Sequence, residues 1–168
     1  MNYTILPATP QHLPYLPSIE DAAGELFPIE DLPEPLRSIS LLPEDFENAL
    51  NKNLLWVVVD ESNLPIAFLL ARIIDGYVHI AEFDVHPDYG RRGVGSQLLN
   101  YVLEVAKQRA FQAVTLTTFE HLPWNAPYYS KHGFKIIESD RIGNELAEIV
   151  KKEKELGMKR RVSMKMRL

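Results

Sequence analysis

A glycine- and arginine-rich segment stands between a predicted strand and a predicted helix: Val85-His86-Pro87-Asp88-Tyr89-Gly90-Arg91-Arg92-Gly93-Val94-Gly95-Ser96. A loop in this position places several free backbone N–H groups at the positive end of the helix dipole, which favours binding of a phosphate group. Gly93 and Gly95 have no Cβ, so an anion can approach the main chain closely. Arg91 and Arg92 add cationic donors. The segment therefore predicts a binding site for a phosphorylated ligand.

Two common nucleotide-binding loops do not fit this segment. It lacks the Gly-Lys-Ser/Thr of a P-loop. A dinucleotide fingerprint needs a third Gly or Ala, and Leu98 stands at that position. Taken alone, the two glycines fit a tight turn without a ligand equally well.

The apolar pattern around the segment predicts a series of strands and helices. Residues 65–74 and 77–85 are predicted strands, and Asp75-Gly76 between them is a hairpin signal, so three consecutive antiparallel strands are expected from residue 54 to residue 85. The other predicted strands are residues 3–6, 54–60, 113–117, 134–137 and 162–168. Predicted helices begin near Thr9 and Val94 and cover residues 44–52, 124–132 and 145–156. Residues 27–43 contain four prolines and are predicted to form a loop with a short helical piece.

Composition limits the class of protein. The chain has 168 residues, 46% of them hydrophobic and 24% charged, which predicts a single globular domain. With no cysteine, disulfides, Cys-ligated zinc and a protein thiol nucleophile are excluded. A net charge of −5 argues against nucleic-acid and membrane partners. The chain has no apolar run of about 20 residues and no secretory signal pattern, so a cytoplasmic location is expected.

A second informative segment contains two adjacent tyrosines: Pro123-Trp124-Asn125-Ala126-Pro127-Tyr128-Tyr129-Ser130-Lys131-His132-Gly133-Phe134. On a short helix two adjacent side chains point in different directions, so one can face a cavity while the other packs. A phenol has a pKa of about 10 and is a suitable general acid for a thiolate leaving group. Packing in an amphipathic core is the alternative for either tyrosine.

Together the two segments resemble the GNAT superfamily of acetyl-CoA-dependent N-acyltransferases. The first is similar to its cofactor motif, a strand ending in Val-x-Pro followed by (Gln/Arg)-x-x-Gly-x-(Gly/Ala). The second is similar to its later motif, which is matched by Asn125, Ala126, Tyr129, Gly133 and Phe134. The resemblance implies a mixed α/β (α+β) fold, with a mostly antiparallel central sheet of about six or seven strands flanked by helices. It also implies a splayed cofactor cleft.

The resemblance further implies direct transfer of an acetyl group from acetyl-CoA to an amine of a small molecule or a protein. The pantetheine arm would pair with main-chain groups near Phe83 and Val85, and Asn125 would also bind the cofactor. The pyrophosphate would be held by Arg91, Arg92, Gly93, Val94, Gly95 and Ser96. Tyr129 would protonate the departing thiolate, and a main-chain N–H of the splayed strand would hold the oxyanion.

Two residues on the strand 77–85 are candidates for the general base. His79 lies six residues before Val85, at a position that is often acidic or histidine in the family, and a histidine pKa of about 6.5 suits the task. Glu82 is the other candidate, and strand alternation places it on the opposite face. An acceptor amine of low pKa would need neither. The spacing of the histidines and acidic residues predicts no metal site.

The sequence departs from the family motif at Gly90, where Gln or Arg usually helps to bind the pyrophosphate. This departure keeps a second hypothesis open, a coenzyme-A-binding regulatory or interaction module without catalysis. Pro127 is compatible with the helix that carries Tyr129 only near its start. Residues 20–47 are strongly acidic and would suit a cationic amine acceptor. A solvated acidic surface is an equal alternative for this segment. A homodimer could form through the strand 162–168 or through the helix that precedes it.

Overall fold

The computed structural model describes residues 2–37 and 41–168. The strands β1 to β7 are Thr4–Pro7, Leu55–Val59, Pro65–Ile74, Tyr77–Val85, Ala113–Phe119, Lys135–Ile137 and Arg161–Arg167. The helices α1 to α6 are Leu16–Gly24, Glu34–Arg37, Pro43–Asn51, Val94–Gln108, Ala126–Lys131 and Asn144–Glu155. Short 3₁₀ helices are Pro10–Tyr15, Pro87–Tyr89 and Ser139–Arg141.

The strands form one sheet in the order β1-β2-β3-β4-β5-β7-β6. β1–β2, β2–β3, β5–β7 and β6–β7 are antiparallel pairs. β4 and β5 are parallel, from Val78↔Val114 to Ile80↔Leu116, because the chain between them crosses over through α4, as parallel neighbours require. The predicted mixed, mostly antiparallel sheet of about six or seven strands with flanking helices is confirmed, and the observed number is seven.

Contacts divide the chain into two compact units. The first holds the described residues up to Arg72 together with Glu82–Glu104. Its centre is β2 and β3, where the run Leu55–Val59 is buried throughout, as expected for a strand covered on both faces. Phe46 of α3 packs edge-on against Phe68 of β3, with ring centroids 5.7 Å apart.

The second unit holds Ile73–Ala81 and Val105–Leu168. The predicted hairpin turn is present, with φ of +51° at Asp75 and +77° at Gly76. The Asp75 carboxylate accepts the N–H groups of Glu145 and Leu146, each at 3.0 Å, and so caps the start of α6. A Cβ at Gly143 would lie 2.2 Å from the Asp75 carboxyl carbon, so this cap requires glycine there.

The predicted strands and the helices α3, α5 and α6 match the observed ones to within two residues. Pro127 is the second residue of α5, where a missing N–H is tolerated. The predicted loop 27–43 contains the short helix α2, and its residues 38–40 lie outside the described residues. β7 pairs with β5 on one side and, from Ser163 to Lys165, with β6 on the other. This part of β7 therefore has no free edge at which a second copy of the chain could add a strand. No described helix has the length and apolar character needed to cross a membrane.

Candidate active site

The predicted phosphate loop lies in the first unit, and its backbone has the expected form. The 3₁₀ helix Pro87–Tyr89 ends at Gly90, and α4 starts at Val94. Arg91 and Gly93 have φ of +58° and +80°, a region that favours glycine. The first N–H groups of a helix have no partner within the helix, so those of α4 are donors suited to an anion. Arg91 and Arg92 are exposed beside them.

The structure gives a steric reason for a glycine, and not Gln or Arg, at position 90. Its N–H donates to the carbonyl oxygen of Pro87 at 3.0 Å, and a Cβ at Gly90 would lie 3.1 Å from the same oxygen. That distance is tighter than nine in ten real Cβ contacts. A Gln or Arg in place of Gly90 would therefore press against the 3₁₀ turn, and the cationic groups of this loop come instead from Arg91 and Arg92.

The end of β4 leads into this loop. Side chains of a strand alternate, so Phe83 and Val85 share one face and Glu82 and Asp84 share the other. Glu82, Phe83 and Val85 are partly exposed, whereas Asp84 is buried. The N–H of His86 donates to the carbonyl oxygen of Ile66 at 2.9 Å, which ties the end of β4 to β3.

Three carboxyl groups form an acidic cluster at this end of β4: Glu20 of α1, Glu82 and Asp84. Asp84 is 8% exposed and shares a side-chain hydrogen bond with Glu82. Burial raises the pKa of Asp84 well above its ordinary value of 3.8, and repulsion by Glu82 and Glu20 raises it further. Burial also raises the pKa of Glu20, against the lowering effect of a hydrogen bond from the Leu41 N–H.

Asp84 was missed as a functional candidate in the sequence, whereas Glu20 lies at the start of the acidic segment 20–47 that was expected to suit a cationic acceptor. The alternation of β4 is the signal that could have found Asp84, because it places this residue on the face of Glu82. No signal in the sequence connects Glu20 with β4, since the two lie far apart along the chain.

His79 and Tyr129 belong to the second unit. His79 is 3% exposed, and its Nδ1 lies 3.0 Å from Oγ1 of Thr115 on β5. Tyr129 is partly exposed on α5, and its ring packs edge-on against Phe134 at 5.7 Å between centroids. The ring of its neighbour Tyr128 lies 4.6 Å from that of His132. The two tyrosine rings also pack edge-on against each other, with centroids 5.3 Å apart. That one of them faces a cavity stays a prediction.

Asn125 holds the start of α5. Its Oδ1 accepts the N–H of Phe119 at 3.3 Å, and its carbonyl oxygen accepts the N–H of Tyr129 at 3.0 Å. The side chain is buried, at 8% exposure. These contacts fix the turn from β5 into α5 and therefore the position of the Tyr129 backbone.

The candidate residues fall into two sets, one in each unit. The first unit brings together the end of β4 and the phosphate loop, with Glu82, Phe83, Val85, Arg91, Arg92, Gly93, Val94, Gly95 and Ser96. The second holds His79, Asn125 and Tyr129. Across residues 2–37 and 41–168, no group of three or more His, Asp or Glu side chains is arranged to hold a metal ion.

Known proteins share this architecture. N-acetylglutamate synthase from Neisseria gonorrhoeae, in complex with coenzyme A and N-acetyl-glutamate, matches with a TM-score of 0.74 at 14% identity, over 100% of this chain and 35% of that one. The PaiA N-acetyltransferase from Thermoplasma acidophilum, in complex with coenzyme A, matches at 0.72 and 15% identity over 100% of both chains. The ribosomal-protein-S18-alanine N-acetyltransferase from Escherichia coli matches at 0.69 and 18% identity, over 99% of this chain and 94% of that one.

At these identities the structural matches show a common fold. The sequence model of the acetyltransferase (GNAT) family matches residues 16–134, a range that includes both motifs. Because this match extends over most of the chain, from the start of α1 to the residue before β6, the protein belongs to the acetyltransferase (GNAT) family.

Proposed function

We propose that this protein is an N-acetyltransferase that transfers the acetyl group of acetyl-CoA directly to an amine of a small molecule or a protein. The observation that carries the proposal is the start of α4, where helix N–H groups, a positive-φ glycine and two exposed arginines follow one another. Two of the related structures, N-acetylglutamate synthase and PaiA, contain coenzyme A, which supports the choice of ligand.

The cofactor-binding residues of the proposal come from both motifs. Acetyl-CoA supplies the activated acetyl thioester. Its pyrophosphate binds to the segment from Arg91 to Ser96, where the helix dipole and the guanidinium groups offset its charge. The main chain of Phe83 and Val85 hydrogen-bonds the pantetheine arm as an added strand would. Asn125 completes the proposed set.

Tyr129 is the proposed general acid. The pKa of a phenol, about 10, is close enough to that of a thiol, about 8.5, for proton transfer to a departing thiolate. The packing of its ring on Phe134 and the fixing of α5 by Asn125 restrict the orientation of this side chain.

Glu82 is the preferred candidate for the base, with His79 as the second. Glu82 is partly exposed and hydrogen-bonded to Asp84, so a proton taken from the amine can be shared between two carboxyl groups. His79 is buried and already bonded to Thr115, which limits direct access of an amine to its ring. The absence of cysteine from the sequence leaves no protein thiol to carry the acetyl group, which favours a ternary complex. A main-chain N–H of β4 is the proposed oxyanion donor.

The test begins with binding. Acetyl-CoA at saturating concentration should raise the melting temperature, and an Arg91→Ala/Arg92→Ala variant should lose most of this shift. Release of coenzyme A is then followed with a panel of amines. Tyr129→Phe should lower kcat by roughly 100-fold, with the KM for acetyl-CoA little changed, whereas Tyr128→Phe serves as the matched control. An equal effect of the two substitutions would remove Tyr129 as the acid.

A coenzyme-A-binding module without catalysis is the second candidate function, because Gly90 replaces the usual Gln or Arg of the motif. It predicts a melting shift with acetyl-CoA but no release of coenzyme A with any amine. A cytoplasmic location, the absence of nucleic-acid and membrane partners, the absence of a metal and a homodimer stay predictions. Gel filtration with light scattering tests the last of these.

A further inference from the structure

The acidic cluster of Glu20, Glu82 and Asp84 has two buried oxygens to which no described residue donates a hydrogen bond. They are Oδ2 of Asp84 and Oε2 of Glu20. Glu20 is held in place through its other oxygen, which accepts the N–H of Leu41 at 2.9 Å. Asp84, at 8% exposure, is held by its hydrogen bond with Glu82. The unpartnered oxygens are therefore fixed features of the cluster.

Such oxygens favour a ligand with positive charge and N–H donors. A buried carboxylate without a partner destabilises the folded state, and so do like charges close together. Glu20 is also repelled by Asp21 and Asp45, which increases the negative potential at this end of the first unit. An ammonium group has three N–H donors and carries the positive charge that complements these carboxylates.

Two arginines of the first unit, Arg37 and Arg72, are engaged with other groups. Residues 1–60 contain ten acidic residues and two basic ones, Arg37 and Lys52. Arg37 donates to the carbonyl oxygens of Leu32 and Phe27. Arg72, at the end of the first unit's β3, is paired with Asp45 at 2.8 Å. A cation from outside the chain is therefore the better complement to the cluster.

The position of Asp84 in the chain indicates which molecule would carry this cation. Asp84 lies between Phe83 and Val85, whose main chain is the proposed contact of the pantetheine arm. Its side chain and that of Glu82 point to the opposite face of β4 from those of Phe83 and Val85. A molecule held by these carboxylates lies next to the strand at which the thioester is proposed to react, which is where an acceptor must bind.

We propose that Glu20 and Asp84, with Glu82 beside them, bind a second, non-reacting ammonium group of the acceptor, so that the protein prefers amines with two or more amino groups. The reacting nitrogen must be neutral when it attacks, so the nitrogen that remains charged in the cluster is a different one. This inference rests on the proposed function where it identifies the cation as part of the acceptor.

The test compares diaminobutane, with an amine at each end, with butylamine, and diaminooctane with octylamine. Release of coenzyme A should give a kcat/KM roughly 10-fold or more higher for the diamine of at least one pair. Asp84→Asn and Glu20→Gln should remove most of this preference and leave the KM for acetyl-CoA unchanged. Glu47→Gln, which removes the same charge from an exposed position on α3, should keep it. Equal rates for both members of each pair, or a preference that survives in both variants, would overturn the proposal.

Calorimetry with the same amines gives a readout that needs no turnover. Diamine should bind to the protein saturated with coenzyme A, and Asp84→Asn should weaken this binding roughly 10-fold or more. If diamine binds in this way but no amine is acetylated, the proposed function fails and the cation site stands. If amines are acetylated but diamine and monoamine bind with equal affinity, the proposed cation site is wrong and the proposed acetyltransferase function stands. Binding of Mg²⁺ or Ca²⁺ that displaces diamine and is lost in Asp84→Asn would overturn the proposal in favour of a metal site.

Discussion

Two buried polar side chains of β4 are satisfied to different degrees. His79 is 3% exposed and has a hydroxyl partner in Thr115 at 3.0 Å. Asp84 is 8% exposed, its pKa is strongly raised by burial and by neighbouring carboxylates, and one of its oxygens has no partner in the described part of the chain. A satisfied polar group is typical of a core position. An unsatisfied carboxylate is costly to the fold, and such a cost is common where a ligand binds.

The largest expected effect concerns catalysis at the two ends of β4. Glu82→Gln should lower kcat/KM by roughly 100-fold or more, because it removes the proton acceptor, and it should flatten the acidic limb of the pH–rate profile. His79→Gln should cost less than about 10-fold, since its ring is engaged in the core. A larger loss of kcat/KM in His79→Gln, together with a change in its pH–rate profile, would show that His79 and not Glu82 is the general base.

A smaller effect is expected on stability at His79. Thr115→Val keeps the shape of the side chain but leaves Nδ1 of His79 without its hydroxyl partner. The free energy of unfolding should fall by about 1–3 kcal/mol, the cost of an unpaired buried polar group, as measured by urea denaturation. The double variant His79→Phe/Thr115→Val is the control, because removing both partners should recover part of this loss. An unchanged stability in Thr115→Val would show that the pair contributes nothing.

The smallest effect is expected at Asp84, and its sign is opposite. Asp84→Asn should raise the free energy of unfolding by about 1 kcal/mol at a pH above the folded-state pKa of Asp84, because it removes a buried charge that has incomplete pairing. The same substitution should impair recognition of a diamine, so stability and activity should change in opposite directions. Glu47→Gln, at an exposed position, should leave the stability within about 0.5 kcal/mol.

The gain in Asp84→Asn should depend on pH. The folded-state pKa of Asp84 is raised above its ordinary value of 3.8, so the folded state binds a proton more tightly than the unfolded state. Its contribution to stability is therefore fully present below the unfolded pKa and is lost as the pH rises through the folded pKa. The difference between the variant and the wild type should grow over this range. A difference that is constant with pH would contradict the raised pKa.

Most of the fold could be predicted from local patterns. Alternation and apolar runs located the strands, and Asp75-Gly76 predicted a turn in which both residues indeed have positive φ. The order of the strands in the sheet could not be read in this way, because it depends on pairing between distant segments. β7 lies between β5 and β6, although it is the last strand of the chain.

The candidate site was predictable where its residues lie in one segment. The phosphate loop and the Tyr129 motif are each continuous in the chain, so residue types and the resemblance to the GNAT motifs predicted both. Glu20 belongs to α1, and only folding brings its carboxylate near Asp84.

By itself, the sequence determined the strands and helices, the glycine-rich start of α4 and the lack of a protein thiol, since these follow from residue type and spacing. Only the tertiary structure decided which polar groups lost water and which found partners. His79 and Asp84 differ in this respect because Thr115 on another strand serves the first, while the carboxylates beside the second repel it. That difference depends on long-range packing, and it separates a residue of the core from a residue of the proposed acceptor site.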